Sequence, residues 1–439
     1  MKGRNDICIK KEKHQKLEQF ITFAFYRSII FEMKKYFLIS VLFLLCGILR
    51  AQDAVQPSAN IVKTAADVSV GAQQFSLYLP LLKGKNVAIV ANQTSIIGNT
   101  NTVDTLISLG VSVKKIFSPE HGFRGNKDAG EDYANSKDKK TGLEVVSLYG
   151  KHFKPTPDDL KNIDVVVYDL QDVGVRFYTY ISTLHYVMEA CAENHIKLIV
   201  LDRPDPNGYY VDGPVLDKKY RSFVGLDPVP IVYGMTPAEY AKMLNGEGWL
   251  DNSEKCDLTC ITVKNYTHND WYQLPVKPSP NLPNMASVYL YPSLALFEGT
   301  VISVARGTDF PFQAIGNPEL KNTTFSFTPK SIIGESTDPP FKGQKCEGYD
   351  LRNFGKLFIK NYQEIYLYWL KGMYKAYPDK KIFFNNYFNS LAGNDVLKQQ
   401  IINHVSENEI RKSWQPALNQ FKQIRKKYLL YPDFTNDTQ

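Results

Sequence analysis

Four short β-branched runs, at residues 86–90, 111–117, 164–168 and 196–201, constrain this chain more than any other feature. Each is almost continuously apolar and bounded by polar or turn residues, which is how strands buried on both faces read. Between the last two runs, residues 181–195 carry apolar side chains at helical spacing, which predicts a strand-helix-strand unit. The economical reading is an α/β fold with a Rossmann-like, doubly wound parallel sheet. From Lys277 to Pro283 the sequence is proline-rich, and after it aromatics and lysines become more frequent. The chain is therefore divided into a Rossmann-like domain at 75–283 and a smaller C-terminal α/β or α+β domain at 284–439. Residues 351–374 and 395–428 read as helix-rich, with strands expected near 301–305 and 323–327.

Polar clusters follow all four runs on their C-terminal side, the edge of an open α/β sheet where ligands bind. Asn92 and Gln93 follow the first, and Glu120, His121 and Arg124 the second. Asp169, Gln171, Asp172 and Arg176 follow the third, and Asp202 and Arg203 the fourth. The second cluster stands out, because Glu, His and Arg share a turn with Pro119, Gly122 and Gly125, poor material for packing. A single polar strand end is as readily a helix cap or a solvated loop. Four on one edge point to a pocket.

The N-terminus distorts the bulk charge. Lys34 and Lys35 precede an apolar run at 36–49, too short to span a bilayer but suited to a secretory signal, with Met33 as the start and cleavage near Ala51. Residues 1–51 are thus read as extension and leader, and the mature protein as exported and periplasmic, without a stable membrane span. Cys46 follows Leu45 rather than a small residue, which argues against a lipid anchor. Ten Lys/Arg against four Asp/Glu in residues 1–51 supply +6 of the net +7, so the remainder is near neutral and nucleic-acid binding is not expected. Four cysteines beyond the leader, with Cys256 and Cys260 not in zinc spacing, suggest neither a disulfide framework nor a metal site.

The turn after the first strand, Asn92 to Gly98, lacks the glycine fingerprint that lets backbone approach a pyrophosphate, and no GxxxxGK[ST] loop occurs. No cofactor is expected. Amide and hydroxyl side chains suit sugar hydroxyls and N-acetyl groups, which both donate and accept, and Tyr178, Tyr180, Tyr233 and Trp271 supply rings nearby. The motifs Ser118 to Gly125, Asp128 to Gly130, Asp169 to Tyr180, Leu201 to Pro204, Tyr233 to Thr236, Pro278 to Asn281 and Gly307 to Phe312 together resemble the NamZ-type exo-β-N-acetylmuramidases. That resemblance covers roughly residues 86–318, with Asp205 and residues 314–320 departing from the family pattern. It implies a glycosidase that releases N-acetylmuramic acid from the non-reducing end of peptidoglycan fragments, with its site in the cleft between two domains. The family's catalytic glutamate falls at Glu120.

Glycoside hydrolysis needs one carboxylic acid to protonate the leaving oxygen and, in most families, a second carboxylate as nucleophile or base. Glu120 is the acid candidate, and the catalytic set is taken as Glu120, His121 and Asp172. Asp128, Glu131, Asp169, Asp202 and Glu239 also stand where they could reach the cleft, and the substrate's acetamide could replace an enzyme nucleophile. The lactyl carboxylate of muramic acid calls for a two-pronged Arg, with Arg176 and Arg306 ahead of Arg124 and Arg203. Asn92, Gln93, Asp169, Gln171, Tyr178 and Asp202 complete the expected substrate contacts. Two other classes use the same edge. One is a metal-dependent amidase built on His121, Asp128 and Asp169, and the other a non-catalytic wall-sugar-binding protein that would not need Glu120.

Overall fold

The protein is described by a computed structural model covering residues 62–434 apart from 126–127, 129–130 and 132–134. The expected leader, including Cys46, lies outside the described residues.

The central sheet has seven strands: β1 (Asn86–Ala91), β2 (Ser112–Ser118), β3 (Ser136–Lys137), β4 (Glu144–Ser147), β5 (Val165–Asp169), β6 (Lys197–Leu201) and β7 (Leu258–Ile261). Their spatial order is β7-β6-β5-β1-β2-β4-β3, all parallel except the edge strand β3. Without β3, the chain starts at the centre, runs two strands one way, then returns and runs three the other way. This is the doubly wound order, with its switch point between β1 and β5. The four sequence runs became β1, β2, β5 and β6 within a residue or so at each end. Strands β4 and β7 were not anticipated, because each is a four-residue segment too short to show a period.

Alternation along the strands explains why both faces are covered. Ala88 and Val90 enter the core layer that also holds the helix Tyr180–Glu193, while Val87 and Ile89 enter the opposite layer. The first of these layers continues across residue 283 to Leu290, Trp369 and Phe421. The C-terminal part contributes a three-stranded antiparallel sheet, β8 (Ala314–Asn317), β9 (Phe325–Phe327) and β10 (Cys346–Asp350), in the order β8-β10-β9. Residues 301–305 do not form the expected strand; Ser303 makes only an isolated bridge to Gly316. The long helix Glu407–Lys426 begins with a Ser406/Glu409 capping box and ends with Arg425 and Lys426, as the helix dipole favours.

Candidate active site

Strand β2 delivers the chain to Glu120 through buried Ser118, and Leu148, just after β4, donates its N–H to the Ser118 carbonyl at 2.8 Å. The loops that follow these neighbouring strands therefore emerge side by side. His121 takes a left-handed backbone (φ 71°) that a β-carbon disfavours, and Gly122 and Gly125 follow in the same region. Such strain persists where surrounding contacts over-determine it. Here the His121 ring is buried, with Nε2 3.1 Å from Ser279 Oγ. Gly125 lies against Gln93, where a β-carbon would fall 2.7 Å from the amide carbon. Gln93 and Tyr178 both donate to the Pro278 carbonyl, at 3.0 and 2.7 Å, and so fix the segment that carries Ser279 and Asn281.

These elements close one end of a cavity of about 50 Å³. Its lining is polar at Glu120, His121, Thr179, Ser279 and Arg306 and apolar at Phe177, Tyr291 and Phe312. Thr179, at the start of the helix Tyr180–Glu193, donates to Glu120 Oε2 at 3.3 Å. The Tyr149 hydroxyl also hydrogen-bonds the Glu120 carboxylate, and burial together with that charge pushes the phenol's pKa up. Tyr387, from the C-terminal part, lies within electrostatic reach of Glu120, Glu298 and Arg306. Glu298 accepts from Arg306 Nε at 2.8 Å and sits 2.7 Å from Nη2, while the guanidinium lies 4.9 Å from the Phe312 ring. Nη1 of Arg306 has no acceptor among the described residues. Burial opposes the Arg306 charge, but Glu298, Tyr291 and Glu120 outweigh it and hold the group above the ordinary arginine value.

Of the thirteen residues expected at the site, Glu120, His121, Tyr178 and Arg306 line this cavity. The others are placed differently, and the reason is shared: each is held by hydrogen bonds or an ion pair elsewhere in the fold. Asp169 and Arg203 form a buried two-pronged pair at 2.6 and 3.0 Å, and Arg203 also donates to the Ile96 carbonyl. Asn92 is consumed by its own turn, accepting from Thr94 and donating to Tyr180. Gln171 donates to the carbonyls of Asp172 and Pro204. Asp172 accepts from Gly174 N–H and from Tyr233, buried away from the cavity. Asp202 accepts from Thr236 and from Ala238 N–H. Arg124 pairs with Asp138 at 2.9 and 3.0 Å. Arg176 is fully buried and donates to carbonyls only.

The remaining carboxylate candidates are likewise engaged. Asp128 accepts from Thr337 N–H at 2.7 Å and Glu131 from Asp128 N–H at 3.0 Å, while Glu239 caps a helix and binds His268. Among the described residues, no three His, Cys, Asp or Glu side chains converge as metal ligands. Thr179, Ser279, Tyr149, Tyr291, Glu298 and Tyr387 were not anticipated as site residues. Only Thr179 and Ser279 carried a signal, since each lies in one of the motifs that support the resemblance.

The N- and C-terminal domains of the exo-β-N-acetylmuramidase NamZ match residues 87–286 and 289–431. The chain belongs to the NamZ family. It is 38% identical to the peptidoglycan β-N-acetylmuramidase NamZ of Bacillus subtilis over 411 residues, covering 88% of this chain and 96% of that protein. Among solved structures, it resembles a DUF1343 family protein from Bacteroides fragilis at 46% identity and a TM-score of 0.78, covering 84% of this chain and 99% of the other. A second DUF1343 protein from the same organism matches at 30% identity and a TM-score of 0.70, covering 83% and 99%. NamZ membership thus spans both the doubly wound sheet and the C-terminal part that supplies Arg306, Glu298 and Tyr387.

The buried strand-end network has a pH signature. Burial raises the Asp172 pKa to about 6 and the Asp202 pKa to about 7, against hydrogen bonds that lower both. Each folded value exceeds the unfolded one, so the folded state holds extra protons and stability falls as pH rises through this window. The thermal midpoint should be higher near pH 5 than near pH 8, by roughly a few kcal/mol of stability. Asp202→Asn should flatten the upper part of that slope, because the Thr236 and Tyr431 hydroxyls can turn to accept from an amide. A midpoint that climbs from pH 5 to pH 8 would contradict the assignment.

Proposed function

We propose that this chain is an exo-acting β-N-acetylmuramidase, a glycoside hydrolase that removes N-acetylmuramic acid from the non-reducing end of peptidoglycan fragments during wall turnover and recycling. Family membership supports the activity. The observation that carries the chemistry is Glu120, at a strand's C-terminal end and hydrogen-bonded by Thr179, in a cavity that also holds Arg306. Glu120 protonates the glycosidic oxygen as the bond to the anomeric carbon breaks. Glu120 is the only carboxylate lining the cavity among the described residues, which favours attack by the substrate's own acetamido oxygen. The resulting ring is then opened by water, whose proton returns to the Glu120 carboxylate. His121, tied to Ser279, and Tyr178, tied to Pro278, shape the sugar pocket.

Arg306 is the reader proposed for the lactyl carboxylate. Its Nη1 has no acceptor among the described residues, and an unpaired buried donor costs about 1–3 kcal/mol that an incoming carboxylate would recover. The parent protein should release free N-acetylmuramic acid from a defined muramic acid–glucosamine disaccharide. Arg306→Ala should lower kcat/KM on that substrate by about a hundredfold and on the N-acetylglucosamine analogue far less. Equal loss on both would remove Arg306 from this role. The same reading places the enzyme outside the cytoplasmic membrane, where its substrate lies, with residues 1–51 as leader and extension and the division at residue 283 separating catalytic and auxiliary domains. Retention of activity in a periplasmic extract, with an N-terminus near Gln52, would support that placement; a cytoplasmic location would refute it.

A further inference from the structure

An aromatic cluster extends the candidate site beyond Glu120. The Tyr149 ring, whose hydroxyl meets Glu120, lies 5.8 Å from Phe223 and 6.2 Å from Phe153. Phe153 and Phe223 stack at 4.1 Å with planes 25° apart, and Tyr186 lies nearly parallel to both at 6.3 Å. The four rings come from three separate segments: the chain after β4, a tight turn closed between Ser222 and Gly225, and the helix Tyr180–Glu193. All four remain half-buried. Rings gathered from separate segments usually complete a core, and a contiguous apolar patch left partly open beside a polar site marks a binding surface.

We propose that this cluster is the subsite for the sugar on the leaving side of the scissile bond, a neutral N-acetylhexosamine. The proposal rests on the glycosidase reading and deepens it. Tyr149 meets the same carboxylate and lies within electrostatic reach of Arg306, whereas Tyr186, at the other end of the cluster, has Arg221, Glu189, Asp251 and Lys154 as its charged neighbours, so the rings lead away from Glu120. An acid that protonates a glycosidic oxygen must stand between the two sugars the oxygen joins. With the lactyl carboxylate of muramic acid at Arg306, the rings beyond Tyr149 are the surface left for the other sugar. The apolar C–H face of a pyranose packs on rigid rings, which bury area at low cost in side-chain entropy. A neutral sugar fits here because its C–H face is what the rings meet, while Lys154 beside Tyr186 is already paired with Glu189 and Glu193.

Phe223 tests this, being one ring removed from the acid. The measurement is kcat/KM on the muramic acid–glucosamine disaccharide divided by kcat/KM on methyl β-N-acetylmuramide, which lacks the second sugar. In Phe223→Ala this ratio should fall about tenfold, and in Phe223→Trp it should stay within about twofold of the parent. Each ratio comes from one preparation, so a misfolded fraction cancels. Tyr186→Ala supplies the same test, with the same expected fall, where Phe223→Ala does not fold. A ratio unchanged in the alanine variants overturns the subsite. If the parent protein hydrolyses neither substrate, the glycosidase reading fails first, which is seen before any variant is made.

Discussion

Glu120→Gln reduces kcat on the muramic acid–glucosamine disaccharide by about a thousandfold while KM and thermal stability stay close to the parent, because a general acid supplies roughly 10²–10⁴ of rate. Gln keeps the shape of the side chain and can still accept from Thr179 and Tyr149, so the variant removes the proton and little else. The dependence on leaving group separates the acid role from others. A nitrophenolate leaves without protonation, so the loss on a nitrophenyl β-N-acetylmuramide should be smaller by about tenfold or more than on the disaccharide. Equal loss on both would instead make Glu120 a nucleophile. Unchanged turnover would sink the assignment and leave a sugar-binding protein. Attack by the acetamido oxygen also fixes the product: early in the reaction the parent should release the β-anomer, and an α-anomer would require a second carboxylate acting on water.

That Glu120 would line a cavity was legible because its sequence context is costly to explain otherwise: a carboxylate among Pro119, Gly122 and Gly125 directly after a strand has no evident packing role. The sheet was legible for a related reason, since strands buried on both faces must be nearly continuous apolar runs. That most other strand-end polar groups lie outside the cavity was not legible, because their chemistry resembles that of ligand contacts and several of their partners are remote in sequence. Asp169 and Arg203 stand 34 positions apart and neutralise one another; neither residue's neighbours announce the pairing. The missed tyrosines pose the opposite problem. Tyr149, Tyr291 and Tyr387 are three among 27, and nothing local separates a tyrosine at a pocket from one in the core. Arg306 and its partner Glu298 meet at eight residues' spacing across a 3-10 turn and an irregular segment, where no periodicity places one against the other.

Arg176, placed outside the cavity, is tied into the fold instead, and its replacement should be the most destabilising single change considered. The side chain is fully buried, with Nη1 donating to the Pro214 and Val229 carbonyls at 2.8 and 2.7 Å and Nη2 to the Leu391 carbonyl at 2.9 Å. It meets no carboxylate there, and burial pulls its pKa down to about 9, still high enough to keep the cation at neutral pH. The carbonyls solvate the charge in place of water. Gly393 is packed so closely that a β-carbon there would lie 2.5 Å from Nη2. Arg176→Ala takes a donor from each of three carbonyls, of which only Val229 keeps another, the Leu216 N–H, and leaves a cavity the size of the side chain, at a cost of about 3–5 kcal/mol. Arg176→Lys should restore only part of this, since a point ammonium cannot span the planar fork's partners. The Leu391 carbonyl belongs to the short helix Phe388–Ala392, immediately after Tyr387, so loosening that tie should also shift Tyr387, which lies within electrostatic reach of Glu120 and Arg306. Urea midpoints well below the parent's, with activity lost in parallel on muramic acid and glucosamine substrates, are the expected result. Undiminished stability with loss confined to muramic acid substrates would return Arg176 to the role of lactyl reader.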